Sequence, residues 1–129
     1  MKSGSKLSII VGTISAAMAV LAGAFVAHGL KQILSPEMLS VFETAVRYQM
    51  YHAFALIVTG MIASQSKLKT NSQFRFASAL FASGTILFSG SLYALVLMNV
   101  RWLGMVTPVG GICFVAGWAF FAIAVWKSS

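Results

Sequence analysis

The chain is poor in charge and almost without acid. Of 129 residues only 9% are Asp, Glu, Lys or Arg, and only two are acidic. A soluble domain carries about 25% charged residues, so water is not the main solvent for this composition, and a soluble enzyme or a disordered tail is a poor reading. There is a single cysteine, Cys113, inside an apolar run. That excludes an intramolecular disulfide, a disulfide scaffold and a thiol pair for metal or redox chemistry. No internal repeat and no low-complexity tract beyond the polar 64–72 loop is found. The basic residues are not gathered in one patch, which removes the concentrated basic face that nucleic-acid binding requires.

What is there is apolar, at 59% of the residues. Crossing about 30 Å of hydrocarbon takes about 20 such residues. Residues 7–27, 76–100 and 102–126 qualify and contain no ionisable charge. Residues 53–64 are charge-free but too short, and extending them back to Phe42 brings in Glu43, Arg47, Tyr48, Gln49, Tyr51 and His52. The expectation is therefore an all-α polytopic membrane protein: one domain over 1–129, an up-and-down bundle of four transmembrane helices at about 7–27, 42–64, 76–100 and 104–126. A re-entrant half-helix in place of the second span would leave three crossings. Lys2 and Lys6 before the first run also fit a signal peptide, but the run is long for a signal core and an uncleaved first span is expected.

Basic side chains set orientation. Lys2, Lys6, Lys67, Lys69, Arg75 and Lys127 share a side if the N-terminus is inside, leaving Lys31 and Arg101 outside. Both termini are accordingly expected in the cytoplasm, with Trp102 and Trp126 as interfacial indoles bracketing the last span. Ser35-Pro36-Glu37 reads as an N-cap, a first-turn proline and an early acid. A helix over 36–64 would be roughly 43 Å long, so its opening turns should lie at the outer interface.

Glu43, Arg47 and Tyr51 form one i, i+4 stripe on this helix, and Tyr48 and His52 a neighbouring pair. Ionisable groups in a span are costly and are candidates for function. With His28 at the end of the first span and Tyr93 in the third, they form the candidate polar cluster or ligand site: His28, Glu43, Arg47, Tyr48, Tyr51, His52 and Tyr93. Two readings stand side by side, a clasp in which Glu43 pairs with Arg47 and the histidines bond backbone or hydroxyl groups, and a pocket or ion path. Catalysis is not expected. No HxxxH or Glu-x-x-His spacing supports a metal site, and no cofactor is implied.

Small residues mark helix contacts in lipid. Gly12, Ala16, Ala19, Gly23 and Ala27 line the first span, while Ser89, Gly90 and Ser91 in the third and Pro108, Gly110 and Gly111 in the fourth read as packing positions. Packing within the chain is favoured over a homo-oligomer. Membrane lipid is the expected partner, nucleic acid is not, and a protein partner stays open.

With these residues set out, the chain resembles the small membrane-protein family known as domain of unknown function 423, whose eukaryotic relatives are called transmembrane protein 256. The matching stretches are residues 23–30 (GAFVAHGL), 42–53 (FETAVRYQMYHA), 87–93 (LFSGSLY) and 107–111 (TPVGG). Val26 departs from the family pattern, which usually has Gly there. The resemblance implies four helices in a bacterial cytoplasmic (inner) membrane and supplies no activity. The functional expectation is thus a non-enzymatic membrane protein whose outer-third cluster stabilises the bundle and binds a small molecule, lipid or partner. The alternative is a transporter or channel component using His52, Glu43 and Arg47 as a proton or ion path.

Overall fold

A computed structural model of the chain describes residues 3–65 and 71–128. Lys2, Lys67 and Lys69 of the charge count lie outside the described residues. All regular structure within them is helical: α1 (Ser3–His28), α2 (Pro36–Gln65), α3 (Asn71–Thr85), a π-helical segment (Ile86–Gly90), α4 (Ser91–Met98) and α5 (Thr107–Lys127), with 3₁₀ turns at Leu30–Gln32 and Arg101–Met105. α3, the π segment and α4 follow without a break, so the described residues form four rods. Among the described residues, three stretches are long and apolar enough to cross a membrane: Ser3–His28, Ser72–Met98 and Arg101–Lys127. α2 is as long but is not among them, since Glu37, Glu43, Arg47, Gln49 and His52 lower its hydropathy.

Helix ends follow local chemistry. The Ser35 hydroxyl accepts from the Met38 backbone N–H at 3.2 Å, satisfying one of the donors a helix N-terminus leaves free. α4 ends at Asn99, whose φ of 55° and ψ of 39° are left-handed, the conformation Asn tolerates at a helix C-terminus. α5 opens on Thr107-Pro108, where proline's missing N–H costs little.

Successive rods are antiparallel. α1 and α2 run side by side from Val26 against Phe42 at one end to Ser5 against Gly60 at the other. Two glycines set their distance: a Cβ on Gly12 would stand 2.8 Å from the Ala53 carbonyl oxygen, and one on Gly60 2.7 Å from that of Ser5. α3 and α5 pair likewise, with Gly117 against Phe81 and Gly110 against the π-segment backbone at Leu87 and Phe88. The core is three layers along the bundle: Val26, Leu30, Phe42 and Val96 at one end; Ala55, Leu56, Ala77 and Phe81 in the middle; Ala63, Phe74 and Ala124 at the other end.

The outside is as apolar as the inside. Leu21, Ile112 and Val115 are about 70% exposed, while Ser8, Gln49, His52, Thr59, Ser89 and Ser91 are buried. Apolar faces turned outward over a hydrogen-bonded interior are what a hydrocarbon solvent requires, because interior polar groups must find partners within the protein. The chain is an all-α, multi-pass membrane protein.

Candidate functional site

The buried side of α2 is a seam in strict four-three rhythm: Ala45, Gln49, His52, Leu56, Thr59 and Ala63. At 3.6 residues per turn this spacing keeps all six on one side. Three of them are polar, and the neighbouring rods supply what they need.

Gln49 bridges α1 and α4. Its Nε2 donates to the Ser15 carbonyl oxygen at 3.0 Å, and its Oε1 accepts from the Tyr93 hydroxyl at 2.6 Å. A carbonyl only accepts, so this partner fixes which way the amide points. His52 is held by α2 itself and by α5. Trp118 Nε1–H lies 3.1 Å from His52 Nε2, and His52 Nδ1 lies 2.8 Å from the Tyr48 carbonyl oxygen. An indole N–H only donates and a carbonyl only accepts. The ring is therefore the neutral Nδ1–H tautomer, with both nitrogens engaged. Phe114 stacks on it at 3.5 Å between centroids and 8° between planes, and Phe81 and Trp118 close the sides at 5.7 and 5.8 Å.

Hydroxyls complete the network. Ser89 donates to the Ala45 carbonyl oxygen at 2.7 Å, Ser8 to that of Leu56 at 2.7 Å, and Thr59 to that of Ala55 at 2.6 Å. Ser91 and Thr107 meet at 2.6 Å, joining the start of α4 to the start of α5. A helical carbonyl keeps a second lone pair after its own helix bond, which is why Ser8 of α1 and Ser89 of the π segment can both dock onto α2 backbone oxygen.

Of the seven cluster candidates, the structure brings His52 and Tyr93 to this interior; Tyr48 is exposed, with its ring packed on Phe88 at 4.7 Å. His28, Glu43, Arg47 and Tyr51 are exposed. Arg47 donates to Thr44 Oγ1 at 3.3 Å, and no ion pair with Glu43 is formed among the described residues. Their exposure has an angular reason: Glu43 and Arg47 sit two positions before Ala45 and Gln49, about 200° around the helix, and Tyr51 one before His52, about 100°. Among the packing candidates, Ser89, Ser91 and Gly110 make the contacts described above. Gly23 approaches Val46 at ordinary distance, Gly111 only grazes Phe88, Gly90 has nothing within 4 Å of its would-be Cβ, and Pro108 is exposed.

Glu43 and Arg47 do have a role in shape. With Lys31 they stand around a surface groove of about 340 Å³ where the end of α1 meets the beginning of α2, and Gly23 and Ala27 form its α1 wall. Two cations and one anion thus border a partly apolar groove.

A family model described as protein of unknown function (DUF423) matches residues 22–111, a stretch that holds the groove and most of the seam. The chain belongs to the DUF423 family. It is 47% identical over 122 residues to a UPF0382 membrane protein of Staphylococcus aureus, covering 95% of this chain and 97% of the relative. UPF0382 membrane proteins of Staphylococcus haemolyticus and Staphylococcus saprophyticus are 45% and 43% identical over the same length. No solved structure matches the chain. Val26, where the resemblance led to an expectation of Gly, lies within the DUF423 match. Here its side chain is buried against Leu30, Phe42 and Val96, filling space at the end layer of the core.

The sequence reading missed Phe81, Phe114 and Trp118 as the surroundings of His52, and Ser15 and Gln49 as the α1 link. Gln49 had a local signal, the four-three run from Ala45 to Ala63. Trp118 had none, being 66 positions from its partner.

Proposed function

We propose that this DUF423 protein is a non-enzymatic, four-span membrane protein that binds a phospholipid headgroup in the groove bordered by Lys31, Glu43 and Arg47. The observation that carries this reading is that groove. Its two cations suit a phosphate, its one carboxylate suits a headgroup with a hydrogen-bond donor, and its apolar floor suits the start of an acyl chain.

Pairing supports four crossings. α1 is long and apolar enough to span, and α2 lies antiparallel against it from Phe42 to Gly60. That stretch of α2 is about 27 Å long at 1.5 Å per residue, so it traverses the same thickness. The groove then lies at one interface, where Arg47 keeps its guanidinium at headgroup level. In the sequence, Lys2, Lys6, Lys67, Lys69, Arg75 and Lys127 flank the opposite ends of the spans, against Lys31, Arg47 and Arg101 on the groove side, a count that favours the cytoplasmic side for both termini.

A static interior supports the non-enzymatic reading over a proton or ion path. Both His52 nitrogens are engaged, and Glu43 and Arg47 point away from the seam, so these residues do not form a connected relay.

The test is binding of short-chain phosphatidylglycerol to the purified protein. Lys31→Gln with Arg47→Gln should weaken it about 30-fold, from about 1 kcal/mol for each basic side chain near a headgroup surface. Phosphatidylcholine, whose headgroup has no donor for Glu43, should bind more weakly to the wild type. Unchanged affinity in the double variant with its melting temperature preserved would overturn the proposal.

A further inference from the structure

A second lipid-sized feature lies at the other end of the molecule, on different residues. α1 packs along α2 but meets α3 chiefly through one hydrogen bond, Ser8 Oγ to Ser78 Oγ at 2.9 Å. Around that tie a crevice of about 240 Å³ opens sideways between the two helices. Its walls are Leu7 and Val11 on α1 and Ala79 and Ala82 on α3, with Leu56 of α2 as its floor. Ser8 is already committed to the Leu56 carbonyl and to Ser78, so the crevice presents almost no free polar group. Small side chains at 78, 79 and 82 keep it open where larger ones would close α1 onto α3.

Its mouth is cationic. Arg75 borders the crevice together with Gly4, and its Nε lies 3.9 Å from where a Gly4 Cβ would stand, so the guanidinium reaches over the first turns of α1. Lys6 is exposed on the same turns. From Gly4 to Val11, and from Arg75 to Ala82, the walls run about 10 Å along the helix axes. An apolar slot of that length, open to the side and ending under a guanidinium, matches the headgroup-proximal half of one acyl chain beneath an anionic phosphate.

We infer that the crevice between α1 and α3 is a binding site for one anionic glycerophospholipid, its acyl chain between Leu7 and Ala79 and its phosphate on Arg75. The site is on the opposite interface from the Lys31–Arg47 groove. It shares no residue with that groove and stands whether or not the groove binds lipid.

The experiment uses the full chain in phosphatidylcholine vesicles containing a photoreactive phosphatidylglycerol with a diazirine in one acyl chain, in the Lys31→Gln, Arg47→Gln background so that only this site is read. After illumination, labelled peptides are mapped by mass spectrometry. Label should concentrate on residues 4–11 and 75–82. It should exceed that from a phosphatidylcholine probe about five-fold, the value of one basic side chain at a headgroup surface. Arg75→Gln should equalise the two probes, and either Ala79→Phe or the milder Ala82→Leu should remove the concentrated label. Label spread evenly over outward faces such as Leu21 and Val115, equal labelling by the two probes with Arg75 intact, or label unmoved by both filling variants would each overturn the inference.

Discussion

Gln49 and His52 are one turn apart, yet they do different work. Gln49 ties α2 to two other rods, through Ser15 and Tyr93, whereas His52 is closed off by rings and by Trp118. Interhelical hydrogen bonds in membranes average about 0.6 kcal/mol and reach about 1.7. Tyr93→Phe should therefore lower unfolding free energy in detergent by about 1 kcal/mol, the upper half of that range, because it leaves the buried Gln49 Oε1 without a donor. Gln49→Leu with Tyr93→Phe should cost less than the two single losses added; simple additivity would refute the bridge. For Glu43 and Arg47 the opposite holds. Both are exposed and unlinked, so Glu43→Gln and Arg47→Met should add within about 0.5 kcal/mol, and a double variant more stable than Arg47→Met alone would reveal a desolvated pair. The sequence made these residues visible as stripes but not which stripe faces inward. Helical period places Glu43, Arg47 and Tyr51 together, and equally Ala45, Gln49 and His52. The choice between two such faces rests on where another rod can approach.

For the helices, approach is governed by a few glycines. Gly12 puts α1 against the Ala53 carbonyl, and Gly110 puts α5 against the π segment at Phe88. The π segment itself lies between Phe81, which packs on Gly117, and Ser91, which meets Thr107. Gly12→Leu should destabilise by about 1–3 kcal/mol, the range for overfilled contacts, as seen in a lowered melting temperature. Gly90→Ala should change stability by less than about 0.5 kcal/mol, since nothing lies within 4 Å of the added methyl. A large loss at Gly90 with none at Gly12 would mean the rods pack otherwise. Small residues were legible as contact markers, and the start of α2 at Ser35-Pro36 was legible to the residue. The π segment was not, because no local residue pattern distinguishes five residues of wider helix from an α-helix.

Across the molecule, the proposal of a fourth crossing rests on the pairing of α1 with α2, since the second rod has only modest hydropathy. In a Cys113→Ala background, single cysteines at Ser35 and Gln65 should react with a membrane-impermeant thiol reagent from opposite sides, and one at Ser128 from the same side as Gln65. Reaction of Ser35 and Gln65 from one side would return the three-crossing alternative. The two lipid-sized features belong to this scale too. One is set between α1 and α2 at the end bearing both acids, the other between α1 and α3 at the end bearing Lys6, Arg75 and Lys127.

From the amino-acid sequence alone came the solvent, the helical rods and the capped start of α2. Each depends on composition or on neighbours within a turn or two. The tertiary structure decided which polar side chains are interior, which tautomer His52 holds, and where a groove and a crevice form. These depend on partners 34, 44 and 66 positions apart, as in Ser15–Gln49, Gln49–Tyr93 and His52–Trp118. Local periodicity carries no information about such distances; only the packing of whole rods brings those donors and acceptors into register.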